Sequence, residues 1–294
     1  MTKVLVLGSA GFLMSNLMRY MLYRTKDYEF VSVDRLRDRN DFQKVYLNRK
    51  HSFHIGDAGN KEFMDRLIWM EKPDIIVVGT TMMTPPRSII PTVHNGIYEV
   101  ILPTVTVCYH AERGLFSSTW KWPYVIRLVP DVSITDMGNR AMWTYVESMV
   151  LDSKGTVLRL PTCFGRRGNG LFENELRRTI FLEQSPEIGS PNSNRRNYAY
   201  AEDVASMLWF LMENRQPGKI VQMPALCYTS PLDMLTNSLE GFTGVQESTI
   251  PGWIPDSKDM REAVDKTIKW YTINKWVFKT YEENSLSSLP EGNL

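Results

Sequence analysis

The chain has 294 residues, of which 43% are hydrophobic and 23% are charged, and its formal net charge is +1. A chain of this size and composition can bury a full core, and a near-neutral charge excludes a global field that would recruit nucleic acid or a membrane surface. Its three widely spaced cysteines exclude a disulfide framework and favour a reducing compartment, so we expect a cytoplasmic protein.

The first predicted element is a short apolar strand, Val4–Leu7, followed by a glycine turn and a helix from Phe12 to about residue 25. A buried strand, a glycine turn and a helix N-terminus together form a phosphate site, because the turn lets a ligand approach the backbone and the helix end offers unpaired N–H groups. A dinucleotide fingerprint requires a third glycine at the position of Met14, so this motif is incomplete. We expect dinucleotide contacts from Gly8, Ala10, Gly11, Phe12 and Leu13.

The second predicted strand, Phe30–Asp34, ends in an acid. An acid about 20 residues beyond the glycine turn is where the ribose hydroxyl of NAD is held. Arg35 and Arg37 stand beside it and would instead favour the 2′-phosphate of NADP. Asp34 is also a residue type that commonly ends a strand, so both roles stay open.

The following segments continue the alternation of strands and helices. His51–Ile55 is predicted as a strand, Phe63–Glu71 as a helix, and Ile75–Val78, which is apolar throughout, as a buried parallel strand. This alternation predicts an α/β fold with a doubly wound parallel sheet. The histidines lie at no metal-ligand spacing, and we therefore predict no metal site.

At this point several segments resemble one family. In chain order, VLVLGSAGF, SVD, GDAGN, KPDIIVV and PPRSI resemble the extended short-chain dehydrogenase/reductase family, most nearly its nucleotide-sugar 4,6-dehydratases, epimerases and related reductases. The second half agrees, because VLRL followed by FG, RNYAYAEDVA, and the final helix MREAVDKTIKWY resemble later family segments. The resemblance runs from residue 3 to about residue 272.

The resemblance implies a domain organisation and a set of ligands. Residues 1–165 and 202–225 would form a Rossmann core that binds NAD or NADP. Residues 166–201 and 226–280 would form a smaller substrate lobe, and residues 281–294 a loosely ordered tail. A UDP- or dTDP-linked nucleotide sugar would lie between core and lobe, and the chain would form a homodimer.

The resemblance also implies roles for single residues outside the glycine turn. Asp57, with Ala58 beside it, would meet the adenine amine. Arg196 would contact the diphosphate, because a guanidinium fork suits phosphate oxygens. Arg87 is a weaker candidate for substrate binding, and Thr162 stands where the family has a substrate-binding asparagine.

The catalytic groups of the family are not evident. Its chemistry needs a tyrosine base, a lysine four residues later and a serine or threonine hydroxyl. Tyr145 is the tyrosine in the corresponding region, but Met149 follows it at that spacing. In a second alignment, anchored on Glu147, the tyrosine and lysine positions hold Asn139 and Trp143.

The position of the family hydroxyl is also altered. The strand Tyr124–Ser133 best matches the family segment, so that Val129 and Pro130 stand at the hydroxyl position and Asp131 at a neighbouring acid. Tyr145 and Asp131 are therefore the only catalytic candidates that these alignments offer. Three hypotheses remain: a family member with impaired or lost redox catalysis, a fully active epimerase, dehydratase or reductase, and a non-catalytic structural or regulatory protein.

Overall fold

A computed structural model describes most of the chain. The described residues are 1–24, 27–36, 51–80, 96–115, 123–131, 137–168, 170–180, 182–183, 195–236, 250–257 and 259–275. Within them, no helix is both long and apolar enough to cross a membrane.

Seven strands form the main sheet. They are β1 (Thr2–Leu7), β2 (Tyr28–Asp34), β3 (His51–Ile55), β4 (Ile75–Val78), β5 (Tyr124–Pro130), β6 (Thr156–Leu160) and β9 (Lys219–Gln222). Their spatial order is β3-β2-β1-β4-β5-β6-β9, and every neighbouring pair is parallel. The predicted doubly wound α/β sheet is therefore confirmed, and its strand order reverses between β1 and β4, where such folds bind ligands.

Helices cover both faces of this sheet because strands buried on both sides present apolar residues alternately to each face. The helices of the core are α1 (Phe12–Arg24), α2 (Lys61–Glu71), α3 (Leu102–Leu115, preceded by a π-helical turn, Ile97–Ile101), α4 (Met137–Asp152) and α6 (Ala201–Glu213). One face packs on α1 and α6, and the other packs on α2, α3 and α4.

A second, three-stranded sheet forms the smaller lobe. Its strands are β7 (Thr162–Phe164), β8 (Arg196–Tyr200) and β10 (Cys227–Thr229), and its helices are α5 (Leu171–Ile180), α7 (Pro231–Leu235) and α8 (Met260–Ile273). β8 lies between β10 and β7, antiparallel to the first and parallel to the second. The smaller sheet thus begins at Thr162, three residues before the end that the sequence predicts for the core segment.

Glu173 of α5 organises the loop that leads from β7 into α5. Its two carboxylate oxygens accept hydrogen bonds from the N–H groups of Gly165, at 2.8 Å, and Gly170, at 3.1 Å. The side chain is buried, and this burial raises the pKa of the Glu173 carboxyl to about 7, although the backbone donors oppose the shift. Tyr271 of α8 donates its hydroxyl to the carbonyl of Gly168, at 3.0 Å, and fixes the same loop from the other side.

The raised pKa of Glu173 makes stability depend on pH. The folded protein holds this proton up to about pH 7, whereas the unfolded chain releases it near the ordinary glutamate pKa of 4.5, so the contribution of Glu173 to stability is lost as pH rises through the folded pKa. We expect the free energy of unfolding of the wild type, relative to Glu173→Gln, to fall by roughly 2–3 kcal/mol between pH 5 and pH 8. Urea denaturation at several pH values measures this difference. Glu62→Gln, at an exposed position of α2, is the control, and equal pH dependence in wild type and Glu173→Gln would contradict the prediction.

Candidate functional site

The glycine turn lies at the point where the strand order reverses. Gly8 has a positive φ of 73°, and a Cβ added there would lie 3.2 Å from the backbone nitrogen of Thr80, which follows β4. A Cβ added to Gly11 would lie 3.0 Å from the carbonyl oxygen of Gly8. Gly8 therefore needs glycine for its backbone conformation and for the close approach of the segment after β4, whereas a side chain at Gly11 would crowd the turn.

Helix α1 begins directly after the turn. The N–H of Ser15 donates to the carbonyl of Gly11, at 2.8 Å, which is the first bond of the helix. The N–H groups of Phe12, Leu13 and Met14 precede it and have no carbonyl partner within the helix. The turn and this helix end form a cradle that suits the diphosphate of a dinucleotide.

Met14 does not obstruct that cradle. Its side chain is 1% exposed and lies in the core beneath the turn, against Gly79. A Cβ added to Gly79 would lie 2.6 Å from the sulfur of Met14, so Gly79 provides the space that Met14 fills. The large side chain at the fingerprint position and the glycine after β4 are thus complementary.

Asp34 ends β2 beside the glycine turn. One carboxylate oxygen accepts a hydrogen bond from the N–H of Ala10, at 3.0 Å, and the other accepts from the N–H of Leu36, at 2.9 Å. The carboxylate therefore braces the turn and also stands at the edge where a ribose would lie.

The acid after β3 is engaged by a neighbouring cation. Asp57 accepts from the N–H of Gly59, at 2.8 Å, and from the guanidinium of Arg35, at 3.3 Å. Arg35 also donates to the buried carboxylate of Glu99, at 3.1 Å. Ala58 is buried in the core below this group. Arg37 lies outside the described residues, whereas Arg35 has its two carboxylate partners in place.

Helix α4 turns one set of side chains toward the sheet. Glu147 accepts two hydrogen bonds from Arg159 of β6, at 2.6 and 2.7 Å, which fixes the rotation of the helix. Trp143, one turn earlier on the same side, is 3% exposed. Asn139 precedes it by a further turn and is half-buried. This face of the helix carries neither a phenol nor an ammonium group.

Tyr145 lies on another side of the helix. Its side chain is 55% exposed. Met149 packs against the core on the face of the sheet that α2, α3 and α4 cover. Asp131 is half-buried after β5, and its N–H donates to the carbonyl of Leu160, at 2.8 Å. Among the described residues, no group of three histidine, cysteine or acidic side chains is arranged to hold a metal ion.

The spacing Tyr-x-x-x-Lys does occur twice elsewhere in the chain, as Tyr46 with Lys50 and as Tyr271 with Lys275. The first pair falls outside the described residues. In the second pair the tyrosine is buried in α8 and donates its hydroxyl to Gly168, and the lysine is exposed beyond the end of that helix. The second pair therefore belongs to the packing of the lobe.

The candidate substrate residues lie in the smaller sheet. Thr162 begins β7 and is paired in register with Tyr198 of β8. Arg196 begins β8 and is exposed. Arg87 lies outside the described residues. Arg166 follows β7, and its side chain pairs with Glu202 at 3.3 Å. Its backbone carbonyl accepts a hydrogen bond from the side-chain amide of Asn16 in α1, at 3.0 Å. This bond attaches the lobe to the helix that follows the glycine turn.

Sequence reasoning missed a buried arginine in β5. Arg127 is 0% exposed, donates to the carbonyl of Val78 at 2.9 Å, and stacks over the ring of Trp143 at 5.3 Å. Its Nε and Nη2 atoms have no acceptor within the described part of the chain, and burial lowers the pKa of the guanidinium to about 9. A charged residue inside the apolar strand YVIRLVP was the available signal.

A comparison with family models agrees with the N-terminal geometry. Residues 4–118, less than half of the chain, match the model described as the NAD dependent epimerase/dehydratase family. No curated protein matches the chain.

Solved structures extend the similarity to nearly the whole chain. The Bordetella bronchiseptica enzyme WbmF in complex with NADH shares 16% identity and a TM-score of 0.77, over 99% of this chain and 98% of that one. A Bacillus anthracis dTDP-glucose 4,6-dehydratase in complex with NAD shares 15% identity and a TM-score of 0.75, over 95% of this chain and 99% of that one. A Thermotoga maritima UDP-glucose 4-epimerase with UDP-glucose shares 16% identity and a TM-score of 0.69, over 93% of this chain and 100% of that one. At these identities the comparisons establish the fold of epimerase and dehydratase structures.

The packing of Met14 against Gly79 is testable with a double-mutant cycle. We expect Gly79→Ala to destabilise the protein by about 1–3 kcal/mol, because its methyl group meets Met14, and Met14→Ala by about 2–5 kcal/mol, because it leaves a cavity. The double variant should lose at least about 1 kcal/mol less stability than the sum of the two single losses, since the new methyl enters that cavity. Urea denaturation measures all four proteins. Strict additivity would show that the two positions are independent.

Proposed function

We propose that the chain binds NAD and a UDP- or dTDP-linked nucleotide sugar as an epimerase/dehydratase-like protein, and that its redox catalysis is impaired or lost. Dinucleotide binding is supported by the glycine turn, the N-terminus of α1 and the Asp34 carboxylate, which meet where the sheet order reverses. The match of residues 4–118 to the family model supports the same ligand.

The proposed loss of catalysis rests on one observation, which is the set of side chains that α4 turns toward the sheet. When bound, NAD exchanges a hydride with a sugar carbon, and the protein must move the accompanying proton with a tyrosine whose pKa a lysine lowers. In the alignment anchored on Glu147, this side holds Asn139 and Trp143 at the tyrosine and lysine positions, and Glu147 is bonded to Arg159. Neither asparagine nor tryptophan can serve as a general base at neutral pH.

A fully active enzyme is the second candidate, and Tyr145 would be its base. Its side chain is 55% exposed and lies away from the side fixed by Glu147, which disfavours that role. A purely structural or regulatory protein would need neither ligand.

Cofactor binding and turnover separate the three possibilities. We expect purified protein to be stabilised by NAD(H) in thermal denaturation and to show no conversion of UDP-glucose or dTDP-glucose. The absorbance of the isolated protein at 340 nm reports any NADH that is already bound. Turnover of either sugar would overturn the loss of catalysis, and the absence of stabilisation at millimolar NAD(H) and NADP(H) would overturn the dinucleotide proposal.

Two substitutions assign the two ligands to separate places, and each serves as the control for the other. Asp34→Ala should weaken NADH binding at least tenfold, because it removes the acceptor beside the ribose, and should leave UDP and dTDP binding unchanged. Arg196→Ala should weaken UDP or dTDP binding at least tenfold, because it removes a guanidinium from the diphosphate, and should leave NADH binding unchanged. Calorimetric titration measures both ligands, and an unchanged affinity would remove that residue from the proposed site.

We also propose that the chain forms a homodimer through α3 and α4. These helices pack side by side and expose apolar side chains, among them Val105 at 38%, Tyr109 at 41% and Tyr145 at 55%. Sedimentation of wild type and Tyr145→Glu would test this: a monomeric wild type contradicts the proposal.

A further inference from the structure

Arg35 and its two carboxylate partners, Asp57 and Glu99, bear on which dinucleotide the site accepts. Arg35 directly follows Asp34 at the end of β2, where the hydroxyl or the 2′-phosphate of the adenosine ribose would lie. An arginine in this place is what a 2′-phosphate requires, provided that its guanidinium is free to reach the ligand.

In this chain the guanidinium is already held by two carboxylates. Nη1 donates to Asp57 at 3.3 Å and Nη2 donates to Glu99 at 3.1 Å. The Glu99 side chain is 3% exposed, whereas those of Arg35 and Asp57 are 27% and 41% exposed. Because a buried carboxylate depends on its cationic partner, Glu99 holds Arg35 more firmly than the half-exposed Asp57 does.

The backbone builds this arrangement. Glu99 belongs to the π-helical turn before α3, and Asp57 to the turn after β3. A Cβ added to Gly59 would lie 2.5 Å from the carbonyl oxygen of Tyr98, so the two turns are in close contact. This contact brings the carboxylates of Asp57 and Glu99 to the same guanidinium.

The charges around the group also oppose a phosphate. Within the described residues, Arg35 is bonded to the carboxylates of Asp57 and Glu99 and directly follows Asp34 in the chain, and a 2′-phosphate would add further negative charge to these three. A ribose hydroxyl, in contrast, donates to a carboxylate and needs no cation.

We infer that Glu99 is a specificity-determining residue that selects NAD over NADP by withholding Arg35 from the 2′-phosphate. This inference rests on the proposed dinucleotide binding. Glu99 acts through Arg35 and need not touch the ligand.

The test is a fluorescence titration of the full chain with NADH and with NADPH. We expect the wild type to bind NADH at least tenfold more tightly than NADPH. Glu99→Gln keeps the shape of the side chain and removes its charge, so it should tighten NADPH binding at least tenfold and change NADH binding less than threefold. The double variant Glu99→Gln/Arg35→Ala should lose that gain, because the phosphate then has no guanidinium to meet.

Glu112→Gln, at an exposed position of α3, changes the net charge equally and is the matched control. An equal gain in Glu112→Gln would assign the effect to overall charge, and a gain that persists without Arg35 would exclude the proposed route; either result overturns the inference. A wild type that binds NADH no better than NADPH overturns it as well, and this measurement does not depend on any variant folding. A wild type that binds neither dinucleotide refutes the proposed function and the inference together, whereas NADH binding without the NADPH effect refutes the inference alone.

Discussion

The close approach of two chain segments at the reversal point of the sheet is the constraint on which the rest of the structure depends. The turn after β1 passes the backbone that follows β4, and a Cβ on Gly8 would lie 3.2 Å from the nitrogen of Thr80. Met14 fills the space beneath, where Gly79 leaves room for it. Because the cradle, the first helix and the central strands are packed together here, a change in the volume of one side chain shifts the others.

A second feature is built directly on this contact. Arg127 donates to the carbonyl of Val78, the last residue of β4, so a charged side chain lies immediately behind the segment that Gly8 touches. Burying a cation with two donors that have no acceptor among the described residues is costly, and its stacking on Trp143 offsets part of that cost. The pairing also gives the buried ring of Trp143 a polar partner inside the core.

The sequence predicted the sheet and the order of its first strands and helices, because continuous apolar strands and glycine turns are local signals, although β1, β2 and α2 each begin two residues earlier than predicted. His51–Ile55 and Ile75–Val78, for example, have the bounds that the sequence predicts. It did not predict the partners of Arg35 or the compensation of Met14 by Gly79, since both depend on segments far apart in the chain. The start of the smaller sheet at Thr162 was also missed, because three residues carry too little periodicity to be assigned. The burial of Arg127 was signalled by its apolar neighbours, but its contacts were not.

The bonds between α1 and later parts of the chain bear on how the chain reaches its folded state. Asn16 bonds to the carbonyl of Arg166, and Arg19 pairs with Glu202, across sequence separations of 150 and 183 residues. Helix α6, which shares the apolar face of the sheet with α1, ends only at Glu213. A nascent chain that has emerged only as far as β5 therefore exposes the part of this face that α6 covers in the folded protein, and completion of the fold must wait for the second half of synthesis. Long-range closure of this kind slows folding and favours association of incomplete chains, so the first half is the segment most dependent on protection while it is made.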